Sequence, residues 1–271
     1  MYPVATSKPY IRPGTPAGAG VTPGDRARPC NMSIDSRGDP DRLRATRLAL
    51  QAVAEHVLAA ALHQATGHIG LRQAPGGLAT PPFPGPAGER TIAIDGVSLV
   101  VRDRGGERRA PLTTIRAAGE LAGVAPGAPA DVYTPATPLD LDAPLDPDPD
   151  AAARLAAWYA LADTALRRLR SEATGDPETT GDPEAIPPET IQLWPEHFDL
   201  AVTLDEVNYG ASPGDGGHAT PYLYVGPWTP PPPDGGYWNE SFGASRSDAQ
   251  VAGVDDAVAF FREGRDRVGR G

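Results

Sequence analysis

The stretch TIAIDGVSLVV at residues 91–101 carries the strongest structural signal in this 271-residue chain. Apolar residues alternate on both sides of Asp95-Gly96, a pair that suits a two-residue hairpin turn because both central positions favour positive φ. A second turn at Gly105-Gly106 extends this hairpin to a three-stranded meander. The predicted cross-strand pairs of the first hairpin are Ile94 with Val97 and Ile92 with Leu99.

Helical spacing of apolar residues is found on both sides of this meander. A long N-terminal helix is expected from Asp41 to about Thr66, since Asp39 or Asp41 can cap its start and Gly67 can end it. Further helices are predicted over about residues 114–121, over about residues 151–170, and near the C-terminus with Val254, Val258 and Phe261 on one face.

Short strands complete the predicted fold. HIGLRQAP precedes the meander, and IQLW, HFDLAVTL and PYLYVGPW lie in the last third around the loop GASPGDGGH. Strands and helices do not alternate as βαβ units, so the sequence predicts an α+β fold. Its order is a long N-terminal helix, an antiparallel meander, a middle helix, then C-terminal strands and a closing helix, with disordered linkers.

The 31 Gly and 32 Pro residues concentrate in particular segments. Residues 1–31 show no periodicity and are expected to be a disordered tail, which leaves open whether Met1 or Met32 is the true start. Residues 32–271 are predicted to form a single α+β domain. Within it, 126–150 and 171–190 are expected to be extended or disordered, because Pro recurs in the first and TGDPE occurs twice in the second.

Composition excludes several functional classes. A net charge of -11 argues against nucleic-acid binding, which needs a basic face. One cysteine, Cys30, permits no internal disulfide framework. No apolar run reaches the roughly 20 residues that a membrane span requires. No apolar segment of a signal peptide is present, so a soluble, cytoplasmic protein is expected.

Large aromatic residues cluster in the last third of the chain. Such amphipathic rings can line a ligand pocket. They can equally complete the core of a small sheet. The candidate ligand-binding residues are Trp194, Tyr209, Tyr222, Tyr224, Trp228 and Trp238.

Carboxylates are concentrated in the same region. Residues 191–245 contain seven acidic residues and no Lys or Arg. These carboxylates must face water, meet arginines from elsewhere in the fold, or hold a cation. The basic first part of the folded chain can supply such arginines.

His197 and Asp199 form a His-x-Asp pair, and His218 follows after one loop. Residues i and i+2 of a strand share a face, so these three side chains are candidate ligands of a divalent metal. Glu196 or Asp215 would then be a further ligand or a base. An ordinary edge strand has the same pattern.

Two other patterns predict no site. His56 and His63 are about 10 Å apart along the first helix, too far for one metal, and are expected at its solvent edge. Residues 210–214 match G-x-S-x-G, but Pro213 has no N–H to donate to an oxyanion, so a turn is predicted.

These observations favour a protein that binds a small ligand or a partner through its aromatic, carboxylate-rich C-terminal region. The alternative is a metal-dependent enzyme with a His-x-Asp…His site. A third hypothesis is a partner-binding scaffold whose acidic linkers are interaction tails.

Three segments, LWPEHFDLAV, NYGASPGDGGHATPYLYVGPW and AVAFFREGR, resemble a group of uncharacterised bacterial, mostly actinobacterial, proteins of unknown function. The resemblance covers about residues 41–265. It implies the same order of helices and strands, and it implies no mechanism.

Overall fold

The computed structural model describes residues 39–174 and 190–269. The predicted tail (1–31) and most of the predicted linker (171–190) lie outside the described residues. Helical structure is continuous from Pro40 to Thr66, as predicted, and the Asp39 carboxylate accepts a hydrogen bond from the Asp41 N–H. This helix has three parts: α1 (Pro40–Val53), a π-helical turn (Ala54–Ala59) and α2 (Ala60–Thr66). The sequence did not predict the π turn.

The first sheet is antiparallel and contains the predicted meander. Its order is β1-β2-β4-β5-β6, and β3 also pairs with β4. The strands are β1 (Arg72–Ala74), β2 (Gly77–Ala79), β3 (Phe83–Gly85), β4 (Gly88–Asp95), β5 (Ser98–Asp103) and β6 (Gly106–Pro111).

The turn between β4 and β5 is centred one residue later than predicted. Asp95 pairs with Ser98, so the two turn residues are Gly96, at φ 58°, and Val97. Asp95 remains in its strand because it also pairs with Gly77 of β2. The predicted pairing is therefore wrong by two residues, and the observed pairs are Ile94 with Leu99 and Ile92 with Val101.

Two helices follow the meander. The Thr114 hydroxyl caps α3 (Ile115–Ala122), which ends at Gly123, close to the predicted range. Residues 124–148, here called the strap, contain no helix or strand. The middle helix α4 (Pro149–Thr174) buries one apolar face, which includes Leu155, Trp158 and Leu169, and continues into the segment predicted as a linker.

The second sheet is also antiparallel, with the order β11-β10-β9-β8-β7. The last three residues of its strand β9 (Val207–Ser212) belong to the segment GASPGDGGH, which the sequence predicted as a loop. A 3-10 turn (Asp248–Gln250) and the closing helix α5 (Val254–Val268) follow the last strand of this sheet. The strands are β7 (Gln192–Trp194), β8 (Asp199–Leu204), β9 (Val207–Ser212), β10 (Tyr222–Pro227) and β11 (Ala244–Ser247).

The fold is thus α+β, with α4 packed against α1, α5 and both sheets. One face of the second sheet joins the core through Leu200, Tyr209 and Val225, among others. Side chains alternate along a strand, so the opposite face carries another set. We call it the polar face, and it includes Asp199, Gly210, Ser212, Tyr222 and Tyr224. No helix in 39–174 or 190–269 has the length and hydropathy to cross a membrane.

Candidate functional site

Tyr224 connects three strands of the polar face. Its ring lies across Gly210 of the neighbouring strand β9, where any side chain would overlap it. The Tyr224 hydroxyl therefore reaches β8 and donates a hydrogen bond to Asp199 Oδ2. Gly210 therefore allows a side-chain contact between β8 and β10, which lie on either side of β9.

Asp199 is a buried carboxylate with an incomplete hydrogen-bond shell. The residue is 9% exposed, and its Oδ1 has no hydrogen-bond partner among the described residues. Burial raises the pKa of Asp199, while His197 and the Tyr224 hydroxyl act in the opposite direction. A carboxylate in this environment favours a proton or a cationic partner.

The turn before Asp199 is held from two sides. Phe198 has a left-handed backbone, with φ 55°, which is uncommon for a bulky residue. The Tyr159 hydroxyl of α4 donates to the Phe198 carbonyl at 2.6 Å, and the two rings pack edge to face. The Gln51 side-chain amide of α1 donates to the Pro195 and Glu196 carbonyls, at 3.2 Å each. This strained turn positions Asp199 at the start of β8.

Glu196, in the same turn, is a second carboxylate with a free acceptor. Its Oε2 is buried and has no hydrogen-bond partner among the described residues. Burial raises the pKa of Glu196, and the neighbouring Asp199 and Glu55 contribute in the same direction.

A hydrogen-bonded network covers the other end of the polar face. Asp215 accepts from the Gly217 and His218 N–H groups and from the Tyr222 hydroxyl, the last at 2.7 Å. The His218 ring stacks on Tyr222 with centroids 4.3 Å apart, and its Nε2 lies 2.9 Å from Glu240 Oε1. Burial acts to raise the pKa of Asp215, but the three hydrogen bonds lower it below its usual value.

Arg47 of α1 contacts this network through the loop that follows β9. Its Nη1 donates to the Gly214 carbonyl. Burial lowers the pKa of Arg47, and the nearby Asp215 opposes this effect. The acidic last third thus meets an arginine from the first helix, as one of the alternatives drawn from the sequence expected.

The structure divides the six predicted aromatic residues among several environments. Tyr222, Tyr224 and Trp194 belong to the polar face, since Trp194 pairs with Asp199. Tyr209 lies on the opposite face and packs edge to face on Phe261. Trp228 is 53% exposed. Trp238 is buried and borders a groove of about 690 Å³ along α5, lined also by Ala259, Arg262, Glu263, Asp266 and Arg267.

The predicted metal ligands have a different geometry from the one expected. His197 is exposed and lies in the turn before β8, so the rule that residues i and i+2 share a face of a strand does not apply to it. His218 binds Glu240 instead. Within the part of the chain that the structure describes, no three His, Cys, Asp or Glu side chains are placed to hold a metal ion.

Sequence reasoning missed a second buried polar cluster, at the π turn. Glu55 is 0% exposed and accepts hydrogen bonds from Ala136 N at 2.7 Å, from Thr137 N at 2.9 Å and from the Thr137 hydroxyl. The strap supplies all of these donors. The one available signal was the position of Glu55 and His56 among the apolar residues of the helix.

His56 is part of this cluster. The prediction that it lies at the solvent edge is wrong, since the strap covers it and leaves it 2% exposed. Its Nδ1 accepts from the Ala128 N–H and its Nε2 faces the Thr137 carbonyl, each at 3.1 Å. Both ring nitrogens of His56 therefore lie within hydrogen-bond distance of strap backbone groups.

Comparison of the sequence with protein-family models and with curated proteins finds no match, and comparison of the fold with solved structures finds none either.

Proposed function

We propose that this protein binds a small organic cation on the polar face of its second sheet. The observation that carries the proposal is Asp199, a buried carboxylate with one hydrogen-bond donor, from Tyr224, and an acceptor oxygen with none among the described residues. Buried charges are normally paired or hydrogen-bonded, because an unpaired one costs several kcal/mol. A ligand ammonium group with N–H donors would supply the missing partner.

The surrounding residues favour a cation over an anion or a neutral ligand. Asp199 and Asp215 interact electrostatically, and Glu240 lies beside His218 at the rim. Residues 191–245 contain no Lys or Arg that would compete for these carboxylates. The negative potential of the polar face is therefore offset by groups from other parts of the fold or from a ligand.

Aromatic rings support the same ligand class. Tyr222 and Tyr224 lie side by side with ring centroids 6.3 Å apart, and Phe242 packs edge to face on Tyr224. Ring faces attract cations, by about 0.5–2 kcal/mol depending on desolvation. Carboxylates beside aromatic rings are a combination that recognises ammonium groups.

Access to Asp199 is graded from the rim inward. The side chains of Asp215 and Glu240 are 44% and 27% exposed, whereas Asp199 is 9% exposed. A cation would meet the rim carboxylates first, and a movement of the Tyr224 hydroxyl away from Asp199 would let it reach the buried carboxylate.

The test is a pair of isosteric probes, 4-aminobutan-1-ol and pentan-1-ol, titrated into 15N-labelled protein and followed by NMR. The amine is expected to shift the amides of residues 214–218 and of Tyr224 in a saturable way, and the alcohol is expected not to. Asp199→Asn should weaken amine binding at least tenfold. Glu206→Gln, which removes an exposed carboxylate from the β8–β9 turn, is the matched control and should bind normally.

Equal shifts from both probes, or unchanged binding by Asp199→Asn, would overturn the proposal. An equal reduction of amine binding by Glu206→Gln and Asp199→Asn would also overturn it. That result would show that the amine is attracted to the net charge of -11 and not to a site at Asp199.

A further inference from the structure

Arg47 is a partly buried cation that forms no ion pair with a described Asp or Glu side chain. Its guanidinium donates to the Gly214 carbonyl. Other arginines near the second sheet are paired, Arg154 with Asp248 and Arg265 with Asp205. A guanidinium has five N–H donors in a planar fork that fits a carboxylate, and a single carbonyl uses a small part of this capacity.

Arg47 borders the same loop as the proposed cation site. Gly214, which accepts from Arg47, immediately precedes Asp215, and both Asp215 and Tyr222 interact electrostatically with the guanidinium. Asp199 in turn interacts with Asp215. A cationic group therefore contacts the same loop as Asp215, next to the carboxylates of the polar face.

We infer that the ligand is a zwitterion, with an ammonium group for the Asp199 and Asp215 carboxylates and a carboxylate for Arg47. This inference rests on the proposed function and adds the anionic half of the ligand. The ligand carboxylate would form charge-assisted hydrogen bonds with the guanidinium, which are about twice as strong as neutral ones. The chemical class is that of amino acids and related amino carboxylates.

The experiment uses four isosteric probes that carry each charge separately and together. 4-Aminobutanoate has both charges, 4-aminobutan-1-ol has the ammonium, pentanoate has the carboxylate, and pentan-1-ol has neither. Affinities are measured by the NMR titration described above on the full chain. The zwitterion is expected to bind at least tenfold more tightly than the amino alcohol, and pentanoate is expected to bind more weakly than both.

Arg47→Gln should remove the advantage of the zwitterion and leave the affinity for the amino alcohol equal or higher. Arg44→Gln is the matched control, because it removes the same charge from an exposed position on the same helix. If Arg47→Gln does not fold, Arg47→Lys retains the charge without the fork and should reduce the advantage of the zwitterion in part.

The outcomes separate the inference from the function on which it rests. Binding of the amino alcohol with no gain for the zwitterion overturns the inference and leaves the cation site. An equal loss for both amines in Arg47→Gln also overturns it, since Arg47 then acts by holding the Gly214 loop. Failure of both amines to bind overturns the cation site and the inference together.

Discussion

Glu55 and Asp199 are both buried carboxylates, and their surroundings are opposite. Glu55 accepts three hydrogen bonds from residues 136 and 137 of the strap. Asp199 accepts one from Tyr224 and has an oxygen with no donor among the described residues. The protein supplies Glu55 with two backbone N–H donors and one hydroxyl, and it leaves one oxygen of Asp199 without a donor among the described residues. Glu55 therefore stabilises the fold, and the unpaired oxygen of Asp199 is the feature on which the proposed ligand site rests.

The largest expected effect is at Glu55. In Glu55→Ala the Ala136 N–H, the Thr137 N–H and the Thr137 hydroxyl lose their acceptor inside the protein, so we expect a loss of about 3 kcal/mol or more in the free energy of unfolding. Chemical denaturation measures this loss. Glu120→Ala, at an exposed position, should stay within about 0.5 kcal/mol of the wild type. A loss below 1 kcal/mol for Glu55→Ala would contradict the structural role.

The next effect is at Gly210, which makes room for Tyr224 on the polar face. Gly210→Ala places a methyl group in the Tyr224 ring and should destabilise the fold by about 1–3 kcal/mol. Gly226→Ala is the control, because the added carbon would lie 3.6 Å from the nearest atom. Similar thermal stability of the two variants would show that the ring does not need this gap.

A smaller effect, of opposite sign, is expected at Asp199. Burial raises its pKa, so the folded protein holds this proton more tightly than the unfolded chain does. Its contribution to stability is therefore full at acid pH and falls as the pH rises from the ordinary Asp value to the raised one. Asp199→Asn does not titrate at this position, and at pH 7 it should be more stable than the wild type by about 1 kcal/mol.

Thermal unfolding between pH 4 and pH 7 measures the difference. The stability that Asp199→Asn gains over the wild type should decrease as the pH falls. Glu196, whose pKa is also raised, titrates in both proteins, so its contribution cancels in this difference. An advantage that is constant with pH, or a less stable variant at pH 7, would show that Asp199 is compensated within the fold.

The smallest effect is at Tyr133 of the strap. Its hydroxyl is buried near Glu55 and Glu196 and has no hydrogen-bond partner among the described residues. Tyr133→Phe should therefore change the free energy of unfolding by less than about 0.5 kcal/mol. Tyr159→Phe loses the 2.6 Å bond to Phe198 and should cost about 1 kcal/mol. A loss of more than about 0.5 kcal/mol for Tyr133→Phe would indicate that the Tyr133 hydroxyl has a hydrogen-bond partner.

Local signals predicted the helices well. Asp39 and Thr114 cap their helices, and Gly67 and Gly123 end theirs, because capping depends on residues a few positions apart. The π turn has no such signal.

Strand positions were less predictable. The β4–β5 turn moved by one residue because Asp95 also pairs with Gly77 on a third strand. The strand β9 was missed because its Gly210 and Ser212 are typical of loops, and the reason for Gly210 is a ring on a different strand.

The candidate site was predictable in composition and not in arrangement. Asp199, His218, Tyr222 and Tyr224 follow from the aromatic and acidic pattern of the last third. Arg47 does not, because it contacts Gly214 across 167 residues of sequence. The Glu55 cluster depends on donors 81 and 82 residues away.

The strap has a consequence for the entropy of folding. Six of its 25 residues are Pro, whose φ is already restricted in the unfolded chain. Anchoring the strap to α3 and to the π turn therefore removes less conformational freedom than anchoring an ordinary segment of this length. Frequent proline excludes helix and sheet from these residues. It also lowers the entropic cost of holding them in one irregular conformation over Glu55.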